Sequence, residues 1–260
     1  MKYKIVFIDI DNTLYDHTNK EVPASTIETL HKAHKNGMEV VICTGRSLAL
    51  IKQLEIDKLV PIDGYIACNG AIAYDRHENI YFATPFDTDE IESIINICKK
   101  HDVGIQYISD NVSFISIPLN HKIIEACKTF HINNPVYKEY ERERVCQGIL
   151  FADQEDEEIL KPYFKDFKLN RFHEFALDIY LEGVNKGEAI KRYLSLKNID
   201  LNEAIAIGDA NNDLEMLEVV PNSIAMGNGT ELAKAKASFV TTPVYEDGIK
   251  NAFDYLKVFE

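Results

Sequence analysis

The stretch that decides the fold is residues 3–16, "YKIVFIDIDNTLYD", in which an apolar run ends in two closely spaced acids. Side chains alternate along a β-strand, so a strand through Ile5 and Ile8 that continues places Asp9 and Asp11 on the same side. Two carboxylates held that close repel each other. The repulsion has to be offset by a cation, a shared proton or solvent at an exposed strand end.

The composition is that of an ordinary globular chain. It has 260 residues, 46% hydrophobic and 27% charged, enough for one large domain or two smaller ones with separate cores. No apolar run approaches the roughly 18 residues that span a bilayer, and Asp9 interrupts the apolar run near the N-terminus, unlike a signal peptide. We therefore expect a cytoplasmic protein.

The net charge of the chain limits the kinds of molecule that it can bind. The formal net charge is −14 and no basic cluster breaks it, so we expect neither nucleic acid nor anionic membrane as a partner. An anionic substrate would need positive charge supplied by the site itself. The five cysteines are scattered without zinc-ligand or CxxC spacing, which indicates buried, reduced thiols.

Strand-like and helix-like segments alternate at both ends of the chain. Apolar runs at residues 38–46 and 63–71 are separated by a helical pattern. The same alternation of strand-like and helix-like segments returns after residue 184. This alternation predicts a parallel sheet with crossover helices. The predicted fold class is α/β, with a parallel Rossmann-like core built from residues 1–80 and 184–260.

The middle of the chain has a different pattern of polar and apolar residues. Between residues 81 and 183, segments of alternating polarity predict antiparallel strands, and Asp110 with Asn111 predicts a hairpin turn. Helical patterns between them predict helices on one face of that sheet. We interpret residues 81–183 as an inserted α+β cap domain.

Polar residues follow every strand predicted for the core. Asp9 and Asp11 follow the first, Thr44 follows the second, and "GDANND" at residues 208–213 supplies Asp209 and Asp213 after a later one. Ligands bind at the carboxyl ends of the strands in an open parallel sheet, so these side chains should share an edge. Oxygen ligands suit Mg²⁺, and we interpret a magnesium ion as the cation that offsets the acids.

Four motifs in this order resemble the haloacid dehalogenase (HAD) superfamily, in the branch with a large α/β cap inserted after the second motif, often called Cof-type phosphatases. The motifs are Asp9-Ile10-Asp11-Asn12-Thr13-Leu14, Thr44-Gly45-Arg46, Lys186-Gly187 and Gly208-Asp209-Ala210-Asn211-Asn212-Asp213. Asn12 stands where the family usually has glycine. Asparagine tolerates left-handed backbone angles, so we expect the loop to be preserved.

The resemblance implies a role for each acid. Asp9 would attack phosphorus and form an aspartyl-phosphate, and Asp11 would protonate the leaving alcohol and then deprotonate water. Mg²⁺ would be bound by the Asp9 carboxylate, the Asp11 backbone carbonyl and Asp209. Asp213 would lie behind them, orienting metal-bound water or Lys186.

The remaining motif residues are expected around the phosphate. Thr44, Gly45 and Lys186 would hold the phosphoryl oxygens, and Asn212 would touch phosphate or metal-bound water. Arg46 has two interpretations, a contact with substrate or a structural ion pair at the sheet edge. The sequence assigns no role to Asn69.

The resemblance implies Mg²⁺-dependent hydrolysis of small phosphorylated metabolites such as sugar phosphates, pyridoxal phosphate or flavin mononucleotide. A phosphomutase acting on a sugar phosphate is one alternative. A non-catalytic metabolite-binding protein on the same fold is another, although a binder need not keep Asp9, Asp11 and Lys186 together. We expect a monomer or a weak homodimer.

Overall fold

The computed structural model describes residues 2–108, 113–129 and 133–260. The chain divides into two compact units: the first is Met1–Ala83 with Val184–Glu260, and the second is Thr84–Gly183. The hairpin turn predicted at Asp110 and Asn111 lies outside the described residues.

The first segment of the first unit alternates strands and helices before it turns back on itself. Its elements are β1 (Ile5–Ile8), α1 (Ala24–Lys35), β2 (Glu39–Cys43), α2 (Leu48–Gln53), β3 (Gly64–Ala67), β4 (Ile72–Asp75) and β5 (Ile80–Ala83).

The second unit combines short helices with a sheet. Its elements are α3 (Thr88–Lys100), β6 (Gly104–Ile108), β7 (Ser113–Ile115), α4 (His121–Thr129), β8 (Val136–Tyr137), β9 (Gln147–Phe151), α5 (Gln154–Leu160), β10 (Phe167–His173) and β11 (Ala176–Leu181).

The chain then returns to the first unit. The remaining elements are α6 (Lys186–Lys197), β12 (Ala204–Gly208), α7 (Leu214–Val219), β13 (Asn222–Ala225), α8 (Glu231–Lys236), β14 (Phe239–Val240) and α9 (Gly248–Tyr255).

One mixed sheet runs through the described residues of the first unit, in the order β14-β13-β12-β1-β2-β3-β4-β5. The strands from β14 to β3 are parallel, whereas β4 and β5 are antiparallel additions at one edge. The parallel core was predicted from the sequence, but β4 and β5 were not. Its domain boundary at residue 81 falls inside β5, and the first unit extends to Ala83.

Strand β1 lies at the centre of this sheet, which explains its apolar sequence. All four of its residues are buried, because β12 and β2 pair on either side and α6 and α7 pack in one core with Ile5 and Phe7. Hydrogen bonding continues past the strand ends, since Asp9 N donates to Ile207 O at 3.0 Å and Thr44 N to Ile66 O at 2.9 Å. The polar loops that follow β1, β2, β3 and β12 therefore leave the sheet at the same edge.

The second unit has its own sheet, in the order β10-β11-β9-β6-β7-β8 within the described residues. All pairs are antiparallel except β7 with β8. Helices α3 and α5 pack on the face that carries Ile105 and Leu150, and α4 packs on the opposite face against Phe151. The expectation of helices on one face only was wrong, because the alternation of strand residues also leaves apolar side chains on the second face.

The described ranges contain no helix with the length and apolar character needed to cross a lipid bilayer. All five cysteines are buried, as their scattered spacing predicted.

Close packing at the end of β12 gives a test of the fold. A Cβ at Gly208 would lie 2.5 Å from Asp213 Cγ and 2.6 Å from Met216 Cε. We expect Gly208→Ala to lower the free energy of unfolding by about 1–3 kcal/mol through overpacking. The change is measured by urea denaturation.

The matched control is Gly148→Ala in strand β9. A Cβ there meets its nearest atoms at 3.5 Å, an ordinary van der Waals distance, so we expect a change of less than about 0.5 kcal/mol. Equal denaturation midpoints for the two variants would show that the Gly208 site is not tightly packed.

Candidate active site

A buried lysine joins two carboxylates at the carboxyl edge of the sheet. Lys186 is the first residue of α6 and is 0% exposed, and its Nζ lies 2.7 Å from Asp9 Oδ1 and 2.6 Å from Asp213 Oδ1. The Asn185 side chain caps this helix by accepting a hydrogen bond from Glu188 N at 2.8 Å. A buried ammonium group is tolerated only when it is paired, and here two carboxylates pair with it.

Both oxygens of the Asp213 carboxylate have protein partners. Its Oδ1 faces Lys186, and its Oδ2 accepts hydrogen bonds from the backbone N–H groups of Asp209 and Ala210, both at 2.9 Å. The loop after β12 thus binds the carboxylate of its own residue Asp213 through backbone N–H groups. These contacts suit a group that orients Lys186 better than one that binds a metal directly.

Thr13, which the sequence analysis left out of the site, links the loops after β1 and β12. Its hydroxyl is buried and donates to Asp209 Oδ1 at 2.9 Å. Its position in the first motif, four residues after Asp9, is the sequence feature that could have indicated that it belongs to the site. The contact fixes the orientation of the Asp209 carboxylate.

Three carboxylates converge at this edge. Oxygen atoms of Asp9, Asp209 and Asp213 lie within 4.8 Å of one another, and all three residues are buried. Lys186 supplies one positive charge against three carboxylates, so the cluster carries surplus negative charge. Since Asp213 is already occupied, Asp9 and Asp209 are the carboxylates that fit a hard cation such as Mg²⁺. The Asp11 side chain does not join this cluster.

The surplus charge and burial shift the pKa values of the cluster. Burial raises the pKa of Asp9 well above its usual range, against the opposing effect of Lys186. Burial, reinforced by the Asp213 charge, raises the pKa of Asp209 to about 7. Burial alone would lower the pKa of Lys186, but the charges of Asp213 and Asp9 hold it above the ordinary lysine value. Lys186 therefore stays protonated, and Asp9 and Asp209 require a cation to remain ionised.

Asp11 has separate partners. Arg46 donates from Nη2 to Asp11 Oδ1 at 2.6 Å and from Nε to Oδ2 at 2.9 Å, and His17 Nε2 lies 2.5 Å from Oδ1. Burial would raise the pKa of Asp11, but hydrogen bonds from His17 and Arg46 outweigh it and hold the pKa below its usual range. Of the two interpretations of Arg46, this structure has the ion pair. No sequence pattern pointed to His17.

The loop that carries His17 returns to Asp11 because its turns are locally stabilised. Asn12 has φ of 58°, in the left-handed region expected from the sequence, and Asn12 N donates to Tyr15 O at 2.9 Å. The Asp16 side chain accepts a hydrogen bond from Thr18 N at 2.8 Å. These bonds turn the chain so that His17 faces the Asp11 carboxylate.

The remaining predicted residues form a third group. Thr44 is 0% exposed, and its Oγ1 accepts a hydrogen bond from Arg46 N at 3.2 Å. Asn212 donates from Nδ2 to Asn69 Oδ1 at 3.2 Å, and the Asn69 amide lies against Gly45. The predicted site residues therefore fall into a charged centre, an Asp11–Arg46 pair and an amide pair, all at one sheet edge.

Removal of the buried cation tests the charged centre. We expect Lys186→Met to lower the free energy of unfolding by about 3–5 kcal/mol in metal-free buffer, because Asp9 and Asp213 lose the buried cation that neutralises them. Adding Asp213→Asn should recover part of the loss by removing one unpaired charge. Chemical denaturation measures both changes.

Lys191→Met, in the same helix, is the control. Lys191 is 45% exposed and pairs with the exposed Glu188, so its loss should cost less than about 1 kcal/mol. A Lys186→Met variant as stable as Lys191→Met would contradict a buried ion pair in this cluster.

The raised pKa of Asp209 predicts how stability depends on pH without metal. A carboxyl group whose pKa is higher in the folded than in the unfolded state stabilises the fold at low pH, and this contribution is lost as the pH rises through the folded value of about 7. We expect the metal-free protein to lose stability between pH 5 and pH 8, and Asp209→Asn to reduce that loss by about 2–3 kcal/mol. Urea denaturation in EDTA at both pH values measures it. A loss as large in the variant as in the unmodified protein would exclude Asp209 as its source.

Comparison with known proteins identifies the family of this chain. The family model for haloacid dehalogenase-like hydrolases matches residues 6–253. YkrA of Bacillus subtilis (strain 168), whose name describes it provisionally as a phosphatase, is 32% identical over 254 residues, 97% of each chain. YbhA of Escherichia coli (strain K12), named a pyridoxal phosphate phosphatase, is 26% identical over 262 residues, covering 92% of this chain and 93% of YbhA.

A solved structure extends the likeness to three dimensions. The sugar phosphatase BT4131, of HAD subclass IIB, has a TM-score of 0.84 and 28% sequence identity to this chain, covering 98% of this chain and 100% of BT4131. The family match spans both segments of the first unit and the whole of the second. The chain belongs to the haloacid dehalogenase-like hydrolases, in the Cof-type branch, and is a phosphatase.

Proposed function

We propose that this phosphatase hydrolyses small-molecule phosphate monoesters with Mg²⁺ through an aspartyl-phosphate on Asp9. The observation that carries the proposal is the buried cluster in which Asp9 lies 2.7 Å from Lys186 Nζ and within 4.8 Å of an Asp209 oxygen. It combines a nucleophile, a fixed cation and an oxygen ligand set at one strand end. These are the groups that transfer of a phosphoryl group to a carboxylate requires.

Similarity favours two substrate classes. YbhA is named a pyridoxal phosphate phosphatase and BT4131 a sugar phosphatase, and both align over more than nine-tenths of this chain. We propose sugar phosphates and pyridoxal phosphate as the first compounds to assay, with flavin mononucleotide as a third.

In the proposed reaction, a carboxylate oxygen of Asp9 bonds to phosphorus while the bond to the leaving alcohol oxygen breaks. Lys186 neutralises charge on the phosphoryl oxygens, and Thr44 and Asn212 position them. Water then attacks phosphorus, its proton passes to Asp11, and the bond to Asp9 breaks to release phosphate. The carboxylate of Asp9 is thereby regenerated.

The two steps require different states of Asp11. The ionised carboxylate, which Arg46 and His17 favour in this structure, is the form that accepts a proton from water. Protonation of the leaving alcohol oxygen requires Asp11 to carry a proton and to break its contacts with Arg46 and His17.

Mg²⁺ would be held by the Asp9 and Asp209 carboxylates and the Asp11 backbone carbonyl, and would supply charge neutralisation that lets the anionic substrate approach Asp9. We further propose that the protein is cytoplasmic and is a monomer or a weak homodimer. The net charge of −14 is the reason for proposing that it binds neither nucleic acid nor anionic membrane.

The test is phosphate release by purified protein from a panel of phosphorylated metabolites, without a bisphosphate activator. We expect Asp9→Asn to fold and to lose turnover by roughly 10³-fold or more, because an amide is a far poorer nucleophile than a carboxylate. EDTA should abolish the activity of the unmodified protein, and Mg²⁺ should restore it.

Asp254→Asn, an exposed acid paired with Lys250, is the control and should keep full activity. Near-normal phosphate release by Asp9→Asn would rule out Asp9 as nucleophile. Transfer of phosphate within a sugar, without free phosphate and only with a bisphosphate, would show a mutase instead.

A further inference from the structure

The turn after β3 has an unusual backbone. Cys68, Asn69 and Gly70 all have positive φ, at 52°, 53° and 100°. Left-handed angles bring Cβ of an L-residue close to the following carbonyl, so two non-glycine residues in succession adopt them only where the surroundings require it. This segment, residues 68–70, is called the left-handed turn below.

The left-handed turn is tied to the loop after β2 by its backbone. Cys68 N donates to Arg46 O at 3.0 Å, and Asn69 N donates to Thr44 O at 3.1 Å. Both bonds require the amide groups to point toward the second motif, which the left-handed angles achieve. The backbone on both sides of Gly45 is thereby fixed.

The Asn69 side chain connects two further loops. It is 3% exposed, and its Oδ1 accepts the hydrogen bond from Asn212 Nδ2 at 3.2 Å. The same oxygen would lie only 3.0 Å from a Cβ at Gly45, so the amide packs directly on the glycine backbone. One side chain thus sets the spacing between the second and fourth motifs.

Gly70 brings the left-handed turn against the third motif. A Cβ at Gly70 would lie 2.4 Å from the backbone oxygen of Asn185, the residue before Lys186. The left-handed turn therefore contacts all three loops that carry Thr44, Lys186 and Asn212. These are the residues assigned to phosphate binding in the proposed function.

We propose that Asn69 is a positioning residue of the phosphate site, acting through the Asn212 amide; this inference rests on the proposed function. The Asn69 carbonyl holds the Asn212 amide group at the edge of the site, while its backbone holds Thr44. Without the Asn69 side chain, Asn212 can rotate away and must be ordered again each time phosphate binds.

The test is a double-mutant cycle with inorganic phosphate as the probe, in the presence of Mg²⁺. Asn69→Gly keeps the left-handed backbone and removes the amide, and Asn212→Ala removes the group that it holds. We expect each change to weaken phosphate binding by up to about tenfold in calorimetry. Both changes remove the same interaction, so the double variant should bind phosphate almost as tightly as the single variant with the lower affinity.

Asn198→Gly is the matched control. Asn198 also has φ of 53°, at the C-terminal end of α6, and its replacement should leave phosphate affinity unchanged. Thermal melting of all variants verifies folding. Independent effects that multiply in the double variant, or an unchanged affinity in Asn69→Gly, would overturn the role of Asn69.

The proposed function fails separately. Phosphate binding without turnover of any phosphate monoester would reject hydrolysis while the cycle still reports on Asn69. Turnover of a phosphate monoester by a protein that shows no measurable binding of inorganic phosphate would overturn the role of Asn69 in phosphate affinity and leave hydrolysis standing.

Discussion

The contact of Lys186 with Asp9 and Asp213 is the interaction on which the site depends. Strand β1 ends at the centre of a buried sheet, so an acid placed there loses most of its hydration, which is costly unless a cation replaces it. Lys186 supplies that cation from the start of α6, and Asp213 fixes Lys186 through a loop folded around its own carboxylate. The loops after β1 and β12 and the start of α6 are thus held by one charge cluster.

The two acids of the first motif lie in opposite environments although they are only two residues apart. Burial and surplus negative charge raise the pKa of Asp9, so that its ionised form depends on Lys186 and a bound cation. Despite burial, His17 and Arg46 hold the pKa of Asp11 low. Two carboxyl groups whose surroundings shift their pKa values in opposite directions can take different roles in one reaction. In the proposed reaction these roles are nucleophile and proton carrier.

Much of the fold and of the site was predictable because it depends on local patterns of apolar and polar residues. Apolar runs that break into polar residues located β1, β2, β3 and β12, and the acids after them indicated a shared edge. The antiparallel β4 and β5 were missed, since each has four residues, too few for a clear periodicity. His17 and Thr13 were missed as site residues because their importance comes from contacts with Asp11 and Asp209.

The sequence by itself determined which residue types stand at the strand ends, because a strand has a fixed side-chain period and parallel strands share an edge. Only the tertiary structure decided which side chains pair. Lys186 and Asp9 are 177 positions apart, and Asn212 and Asn69 are 143 apart, so no local pattern relates them. The pairing follows from strand order and from helix and loop geometry, which place distant groups within hydrogen-bonding distance. For that reason Asp11 faces Arg46 and His17 rather than the acidic cluster.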